Sequence, residues 1–379
     1  MASTVLHIRS ETKPLERRSV VSPAGVKTLI EAGYRVDVER SPDRCFPDSD
    51  FEDAGATLVA EDSWPNVPTD HIILGLKELP EDGFPLKHAH VYFGHDYKNP
   101  AGWQKLLSRF RIGGGALLDL EFFQEPGGRL LAPSGYHAGY AGAALALKAW
   151  GHQIIPGDPL PSVTSYRNDE TLMKDVQRSL FAGIKYLNRI PKVIVFGARG
   201  HCGTGAVDLC ILAGIPAANI LQWNRAETEN GGPFREAIES DILINCTYLD
   251  RPTPPFIDLP SLKSPYRKLS IICDVSCDLG DPNNPLPIYS DHTTFEKPTI
   301  DIPISNGGPV RVISIDHLPN LIPRQATEAC SRSIIPMLKQ LNTWKAWYNI
   351  DRLFLEKIAL LPTMKDRLDK GINQIGMFV

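Results

Sequence analysis

Short apolar runs, broken by glycine and polar clusters, organise the first third of the chain. TVLHI, residues 4–8, reads as a strand. SPAGVKTLIEAG then follows helical spacing, with Ser22 at the cap, Pro23 at the first helical position and Gly33 at the close. YRVDVE alternates with period two, which predicts another strand. HIILG, ending at Gly75, and HVYFG are apolar runs with polar tips, and GGGALLDLEFF is a fifth strand ending in acids. Strands alternating with helical stretches predict a mostly parallel sheet, and such sheets bind ligands beyond the carboxyl ends of their strands. Lys77, His95, Lys98, Asp119 and Glu121 fall at those ends.

A run of small residues, SGYHAGYAGAALALKAW, predicts a closely packed helix over 134–150, followed by a polar, proline-containing loop. A second series of apolar runs begins at PKVIVFG and continues through ANILQWN, SDILINCTYL, LSIICDVSCD and PVRVISIDHLP. From Gln325 onward the pattern is helical and rich in Leu, Ile and Lys. A helix so long after the second sheet is expected to return to the first. The pattern therefore predicts an α/β chain of two Rossmann-like domains with mostly parallel sheets, residues 1–133 plus 326–379 and residues 134–325.

Composition narrows the class without adding chemistry. At 379 residues the chain suits two domains, and its 42% hydrophobic and 22% charged residues are ordinary for a globular enzyme. A formal net charge of −4 suggests no nucleic-acid or anionic membrane partner. No apolar run is long enough to span a bilayer, MASTVLHIRS does not read as a secretory signal, and GMFV is no address. The cytosol is the expected compartment. Seven scattered cysteines do not make a disulfide scaffold, and without CxxC or HExxH spacing no metal site is expected.

The strongest local signal is VIVFGARGHCGTG, with Gly197, Gly200 and Gly203 after an apolar run and before a helical one. Glycines there let the backbone approach a pyrophosphate seated on the amides of the helix start. A second strand ends at the expected interval, in ILQWNRAE. The spacing GxxGxxG departs from GxGxxG, and a tight βα turn without ligand would carry the same glycines. The second strand usually ends in an acid that takes the ribose hydroxyls. Here that position is Asn224, followed by Arg225 and, within the same turn, Thr228.

Lys77 and His95 are the acid–base candidates. A lysine in a dry cleft can lose its proton near neutral pH, and histidine titrates there already. The plainer alternatives are a solvated lysine beside Glu78 and a strand-end histidine bonded to backbone. His88, His90 and His152 read as surface or core residues. Of Arg17 and Arg18, either fits a carboxylate with two parallel bonds or is an exposed basic pair. Asp316-His317 looks like a triad fragment, but no GxSxG elbow accompanies it, so a hydrolase is a poor reading. Cys202 and Cys246 end neighbouring predicted strands, as a pair or as two separate thiols.

With these residues aligned, the chain resembles the fungal saccharopine dehydrogenase family, lysine-forming type, over nearly its whole length. The matching strings include HIRSETKPLERR, HIILGLKELPEDGFPLKHAH, LDLEFF, AGYAGAALALKAW, RGHCGTGAVDL, CDVSCD and VISIDHLPNLIPR. The resemblance implies a substrate and catalytic domain (1–133 plus 326–379), a dinucleotide-binding domain (134–325), and an active site in the cleft between them. It implies oxidation of a secondary amine joining an amino acid to a 2-oxo acid carbon, or the reverse reductive amination, by a monomer. Lys77 is then the base for the amine proton and His95 the second acid–base group, with Glu78 and Glu121 tuning them. Arg18 and Lys98 belong to the substrate side with Ser276, Cys277 and Asp278. Arg129, Gly200, His201, Tyr248, Val275, Ile315, Asp316, His317 and Leu318 match nucleotide contacts, to which the glycine turn adds Gly197, Arg199 and Gly203. Cys202 and Cys246 match a pair that can form a disulfide.

Three departures from the family pattern surround the substrate. Pro100 stands where the family has an amide-bearing Gln, Ser134 replaces an aromatic wall, and LGDPNNP replaces a Thr-Asn-Pro-His stretch. They lead us to expect a changed amine or 2-oxo acid, with lysine-forming saccharopine oxidation as the alternative and a non-catalytic nucleotide-binding regulator as a third reading. Asn224 removes an acid that repels a 2′-phosphate, and Arg225 adds a positive charge. NADP(H) is therefore the expected cofactor, with NAD(H) the alternative.

Overall fold

The computed structural model describes residues 4–80, 82–94, 102–123, 134–155, 157–249, 251–277, 279, 281–305, 307–341 and 347–362. The chain divides into two units, Met1–Pro133 with Thr327–Val379, and Ser134–Ala326. The first stretch of chain supplies strands β1 (Val5–Ile8), β2 (Arg35–Glu39), β3 (Thr57–Val59), β4 (Ile72–Leu74), β5 (Ala89–Tyr92) and β6 (Ala116–Asp119). Helices α1 (Pro23–Glu31), α2 (Asp48–Asp53) and α3 (Trp103–Gly113) lie among them. The central stretch supplies α4 (Gly135–Ile154), α5 (Asp169–Leu187), α6 (His201–Ala213), α7 (Arg225–Thr228) and α8 (Arg235–Ile238). Its strands are β7 (Val193–Phe196), β8 (Ile220–Trp223), β9 (Ile242–Asn245), β10 (Ile271–Asp274), β11 (Ile300–Ile302) and β12 (Val310–Ile313). Two helices follow, α9 (Pro323–Leu338) and α10 (Tyr348–Ala359).

The first sheet runs β3-β2-β1-β4-β5-β6 with every pairing parallel. This is the dinucleotide-fold order, in which the chain leaves β1 on one side and returns to it on the other. Both faces are covered, so the strands are apolar almost throughout. Leu6, Ile8, Val36, Val38 and Leu74 face one core, while Ile73, Tyr92 and Leu117 face another with Trp64 and Phe110. The second face also carries His7 and His90, which share a register row through Ile73. Helix α1 opens as its sequence predicts: the Ser22 side chain accepts from the Gly25 N–H, and Gly33 turns the chain with φ +95°. Cys330, Ile334, Ile335, Met337 and Leu338 of α9, with Trp347 and Ile350, complete the core of this unit.

The second sheet runs β11-β12-β10-β9-β7-β8, parallel except for β11 at the edge. Alternation along β7 is clean. Val193 and Val195 enter one core with α4, α5 and α6, whereas Ile194 and Phe196 enter the other with Phe256 and Leu262. The small residues of α4 permit a close crossing. A Cβ on Gly139 would lie 1.7 Å from the Cys202 carbonyl oxygen, and one on Gly205 of α6 2.0 Å from that of Tyr136.

The two-sheet α/β class agrees with the sequence pattern. The pattern missed the three-residue edge strands β3 and β11, and it left α3 and α5 undetected. Helix α5 had a legible start, since the Asn168 side chain accepts from the Thr171 N–H at 3.0 Å.

Candidate active site and nucleotide turn

In the first unit the order of strands reverses between β1 and β4, and the chain leaving both strands builds a charged cluster there. Arg9 and Glu11 follow β1, and Gly75, Leu76, Lys77 and Glu78 follow β4. Glu11 fastens the second loop by accepting the N–H groups of Leu76 at 2.6 Å and Lys77 at 3.0 Å. Arg9 donates to the Lys77 carbonyl and lies 3.4 Å from the Glu11 carboxylate. A Cβ on Gly75 would strike the Arg9 guanidinium at 2.4 Å, so the glycine makes room for that contact. The backbone of Lys77 is thus held by two side chains that the sequence pattern did not single out.

Arg18 is buried and locked to a second overlooked acid. Its Nε and one terminal nitrogen donate to the two Glu16 oxygens at 2.7 and 2.6 Å, and its backbone N–H donates to the same group at 3.0 Å. Burial alone would raise the Glu16 carboxyl, but the charge and bonds of Arg18 outweigh it and hold it below the ordinary range. Burial acts the other way on Lys77: with the charges of Arg18 and Lys13 it pushes the amine down, against the pull of Glu78 and Glu16. Glu11 is pushed up, burial outweighing Arg9 and the two backbone bonds. Glu78 accepts from Lys13 at 3.1 Å; its own backbone bond and the Lys13 and Lys77 charges overcome burial and keep it ionised. The site is a neutralisable amine set among fixed charges of both signs.

The other sequence candidates of this unit are only partly described. Asp119 accepts from the N–H groups of Gly94 at 3.1 Å and Glu121 at 3.0 Å, tying the ends of β5 and β6. Glu121 is half-buried beside it. His95, Lys98, Pro100 and Arg129 lie outside the described residues, as does Asp278 in the second unit.

In the second unit the glycine turn between β7 and α6 is built as its spacing implies. Gly197 adopts φ +72°, a conformation that favours glycine. Its carbonyl accepts from Gly200 N–H at 2.9 Å. A Cβ on Gly203 would lie 2.1 Å from that carbonyl oxygen, and one on Gly197 2.7 Å from the Cys246 oxygen. Gly200 caps α6, with Arg199 and His201 exposed beside it. The amides of a helix start thus stand open behind a turn stripped of side chains, a cradle that fits a dinucleotide pyrophosphate.

Asn224 at the end of β8 has a structural task. Its side-chain oxygen accepts from the Arg199 N–H at 2.8 Å, joining the glycine turn to the neighbouring strand. Its own N–H donates to the Glu227 carboxylate at 2.7 Å, so an acid stands at this strand end after all, three positions late. Arg225 is exposed, and the Thr228 hydroxyl donates to the Asn224 carbonyl at 3.0 Å. Tyr248 is exposed and Val275 half-buried. Ile315 and Leu318 are core residues, so only their backbone is available to a ligand; His317 is buried against Asp316.

Ser276 donates to the Thr247 carbonyl at 2.8 Å. Cys277, at φ +57°, has its sulfur 2.7 Å from Ser314 Oγ and 3.2 Å from His292 Nδ1. Ser134 precedes α4 as its N-cap residue. Cys202 and Cys246 are free thiols here; burial raises Cys202 to about 11 and Cys246 well above the usual thiol range.

Residues 7–141 match the family described as alanine dehydrogenase/PNT, N-terminal domain. A Neurospora crassa protein named saccharopine dehydrogenase, NAD(+), L-lysine-forming, is 53% identical over 96% of this chain and 98% of its own length. Proteins of the same name from Emericella nidulans and Schizosaccharomyces pombe are 49% and 46% identical, over 96% and 93% of this chain and 99% and 98% of their own. A solved L-alanine dehydrogenase covers 97% of this chain and 99% of its own with a TM-score of 0.65 at 19% identity, a likeness of fold.

Proposed function

The chain belongs to the lysine-forming saccharopine dehydrogenase family, and on that premise we propose that it oxidises saccharopine with NAD(+) to lysine and 2-oxoglutarate. The observation that carries the reading is Lys77, an amine pushed down by burial at the point where the first sheet reverses its strand order.

In this reading the Gly197, Gly200 and Gly203 turn would hold the nicotinamide dinucleotide, which would supply the hydride acceptor for the carbon attached to the secondary nitrogen. Neutral Lys77 takes the proton of that nitrogen, and a C=N bond forms. Water adds to the carbon, His95 relays protons, and the C–N bond breaks to leave the lysine amine and the 2-oxo acid. Glu16 and Glu78 counter the positive charge that Lys77 gains. Arg18, held by its fork on Glu16, is the cation that meets a substrate carboxylate.

Two sequence expectations are revised. The changed substrate pocket gives way to its alternative, because relatives at 43–53% identity carry one name. The preference for NADP(H) gives way to NAD(H). The relatives are named for NAD(+), and Glu227 restores a negative charge that disfavours a 2′-phosphate beside Asn224.

The test is a steady-state assay of saccharopine oxidation with NAD(+) and NADP(+), and of lysine plus 2-oxoglutarate with the reduced forms. We expect turnover of saccharopine and at least tenfold higher kcat/KM with NAD(H). No turnover with saccharopine, together with turnover of another secondary amine, overturns the substrate. Equal use of NADPH overturns the cofactor.

A further inference from the structure

Away from the charged cluster, the first sheet holds a group of buried side chains that the proposed reaction does not use. His7 of β1, Asp37 of β2 and His71, the residue before β4, come from three adjacent strands, and His7 and Asp37 are register partners. They lie in the body and at the amino-terminal edge of the sheet, whereas Lys77 follows its carboxyl edge. All three are buried, with exposures of 0%, 3% and 6%. Ligand atoms from the three lie within 4.8 Å of one another.

The second observation is what these rings lack. Nδ1 of His7 and Nδ1 of His71 are both buried with no hydrogen-bond partner. The other nitrogen of His7, Nε2, is 3.0 Å from Glu39 Oε1. Glu39 also accepts from Ser10 N–H at 2.8 Å, Ser10 Oγ at 3.0 Å and Trp64 N–H at 2.7 Å. So many donors require an ionised carboxylate, which therefore accepts from His7 too. The His7 proton then sits on Nε2, and Nδ1 presents a bare lone pair. A carboxylate behind a histidine, fixing its tautomer and aiming its free nitrogen, is the usual support of a metal-bound imidazole.

The geometry points to a site for one divalent transition-metal ion of the zinc class, ligated by His7 Nδ1, His71 and Asp37. Two imidazoles and a carboxylate are a nitrogen and oxygen donor set suited to Zn²⁺, Co²⁺ or Ni²⁺, and three protein ligands leave a position for water. Bonds of about 2.0–2.2 Å require ligand atoms roughly 3.4 Å apart, so separations within 4.8 Å close by at most about 1.4 Å on binding. Asp37 is held by the Arg35 fork at 3.2 and 2.9 Å, but that arginine is 57% exposed and is able to release one oxygen. Local motifs gave no sign of the site because each ligand comes from a different strand.

The full chain, stripped of metal by a chelator and dialysed, is titrated with Co²⁺ alone. We expect one equivalent with a visible ligand-field absorption of low-coordinate intensity, displaced by Zn²⁺. His71→Ala should abolish that band and weaken binding by more than tenfold. Glu39→Gln keeps the ligands but loosens the His7 tautomer, and should weaken binding about 10–100-fold. Circular dichroism establishes that each variant is folded; if His71→Ala is not, Asp37→Asn supplies the same readout. Wild-type affinity in a folded His71→Ala or Asp37→Asn chain overturns the site. So does a wild-type chain that takes up no Co²⁺, the result expected if only water bridges these nitrogens. Loss of the band in His292→Ala also overturns it, assigning the ion to the pair of half-buried Cys277 and exposed His292, 3.2 Å apart.

Discussion

Replacing Lys77 by Met tests the proposed chemistry most directly. Methionine keeps the length and apolar stem and removes only the titrating amine. Loss of a general base costs about 10²–10⁴ in rate, or roughly 3–5 kcal/mol of barrier. Because burial, Arg18 and Lys13 all push the Lys77 amine down, the wild-type rate should rise with pH along a limb set below the ordinary lysine pKa of about 10.4, then level off. Lys77→Met should lose both the rate and that limb. Lys77→Arg retains charge but does not deprotonate, so it should be equally slow, which separates base catalysis from electrostatics. Stability should change in the opposite sense. A lowered native pKa means the unfolded chain binds more protons, so the buried ammonium destabilises the fold fully below its native pKa. That penalty fades as pH rises toward the unfolded value. Lys77→Met should therefore resist urea better than wild type at neutral pH, with the gain vanishing near pH 10–11. NAD(+) affinity by calorimetry should hold. Saccharopine turnover above a tenth of wild type in Lys77→Met would refute the assignment.

Three further outcomes are expected. Glu16→Ala leaves the buried Arg18 without its fork, and urea unfolding should report a loss of about 3–5 kcal/mol. The milder Glu16→Gln also removes a charge that raises Lys77, so its pH limb should move to lower pH. Gly203→Ala puts a methyl 2.1 Å from the Gly197 carbonyl oxygen; we expect about 1–3 kcal/mol lower stability in thermal melts and weaker NAD(+) binding by calorimetry. Glu227→Gln removes the acid bonded to Asn224, and should lower the ratio of kcat/KM for NADH over NADPH by about 5–30-fold, the equivalent of one to two kcal/mol. An unchanged ratio would show that this carboxylate does not discriminate between them.

The elements legible in the sequence were those whose signal is local. Apolar runs gave the buried parallel strands, and Ser22, Pro23 and Gly33 marked both ends of α1. Edge strands β3 and β11 have only three residues each, too few for a period to show. Helix α5 was overlooked for a weaker reason, since Leu172, Val176 and Leu180 recur at helical spacing behind the Asn168 cap. At the site, the positions of Lys77 and the glycine turn could be read, because strand ends and glycine spacing are properties of the chain in order, whereas Arg18 stood out from Arg17 only through the family resemblance. Glu11 and Glu16 could not, for they lie in an irregular segment and their partners are chosen by tertiary approach. Asn224 shows the limit of reading one position at a time. The carboxylate nearest its strand end belongs to Glu227, visible only once the helical turn of α7 brings that side chain back to bond the Asn224 N–H.

The division of the first unit has a consequence for how the protein is made. Its core needs α9 residues Cys330 and Ile334, and its loops bond two other residues of that helix: Ser19 N–H donates to Thr327 Oγ1 at 3.2 Å, and the Ser22 hydroxyl donates to that of Ser331 at 3.1 Å. The second unit is continuous from Ser134 to Ala326. On a ribosome the residues up to Pro133 must therefore wait through the synthesis of the second unit, roughly 10–40 s at ordinary elongation rates. Meanwhile the face of the first sheet that α9 will cover stays open to solvent. The order of maturation is thus the reverse of the order of translation: the unit begun first is finished last. Chains stalled before α9 should be those that depend most on chaperones.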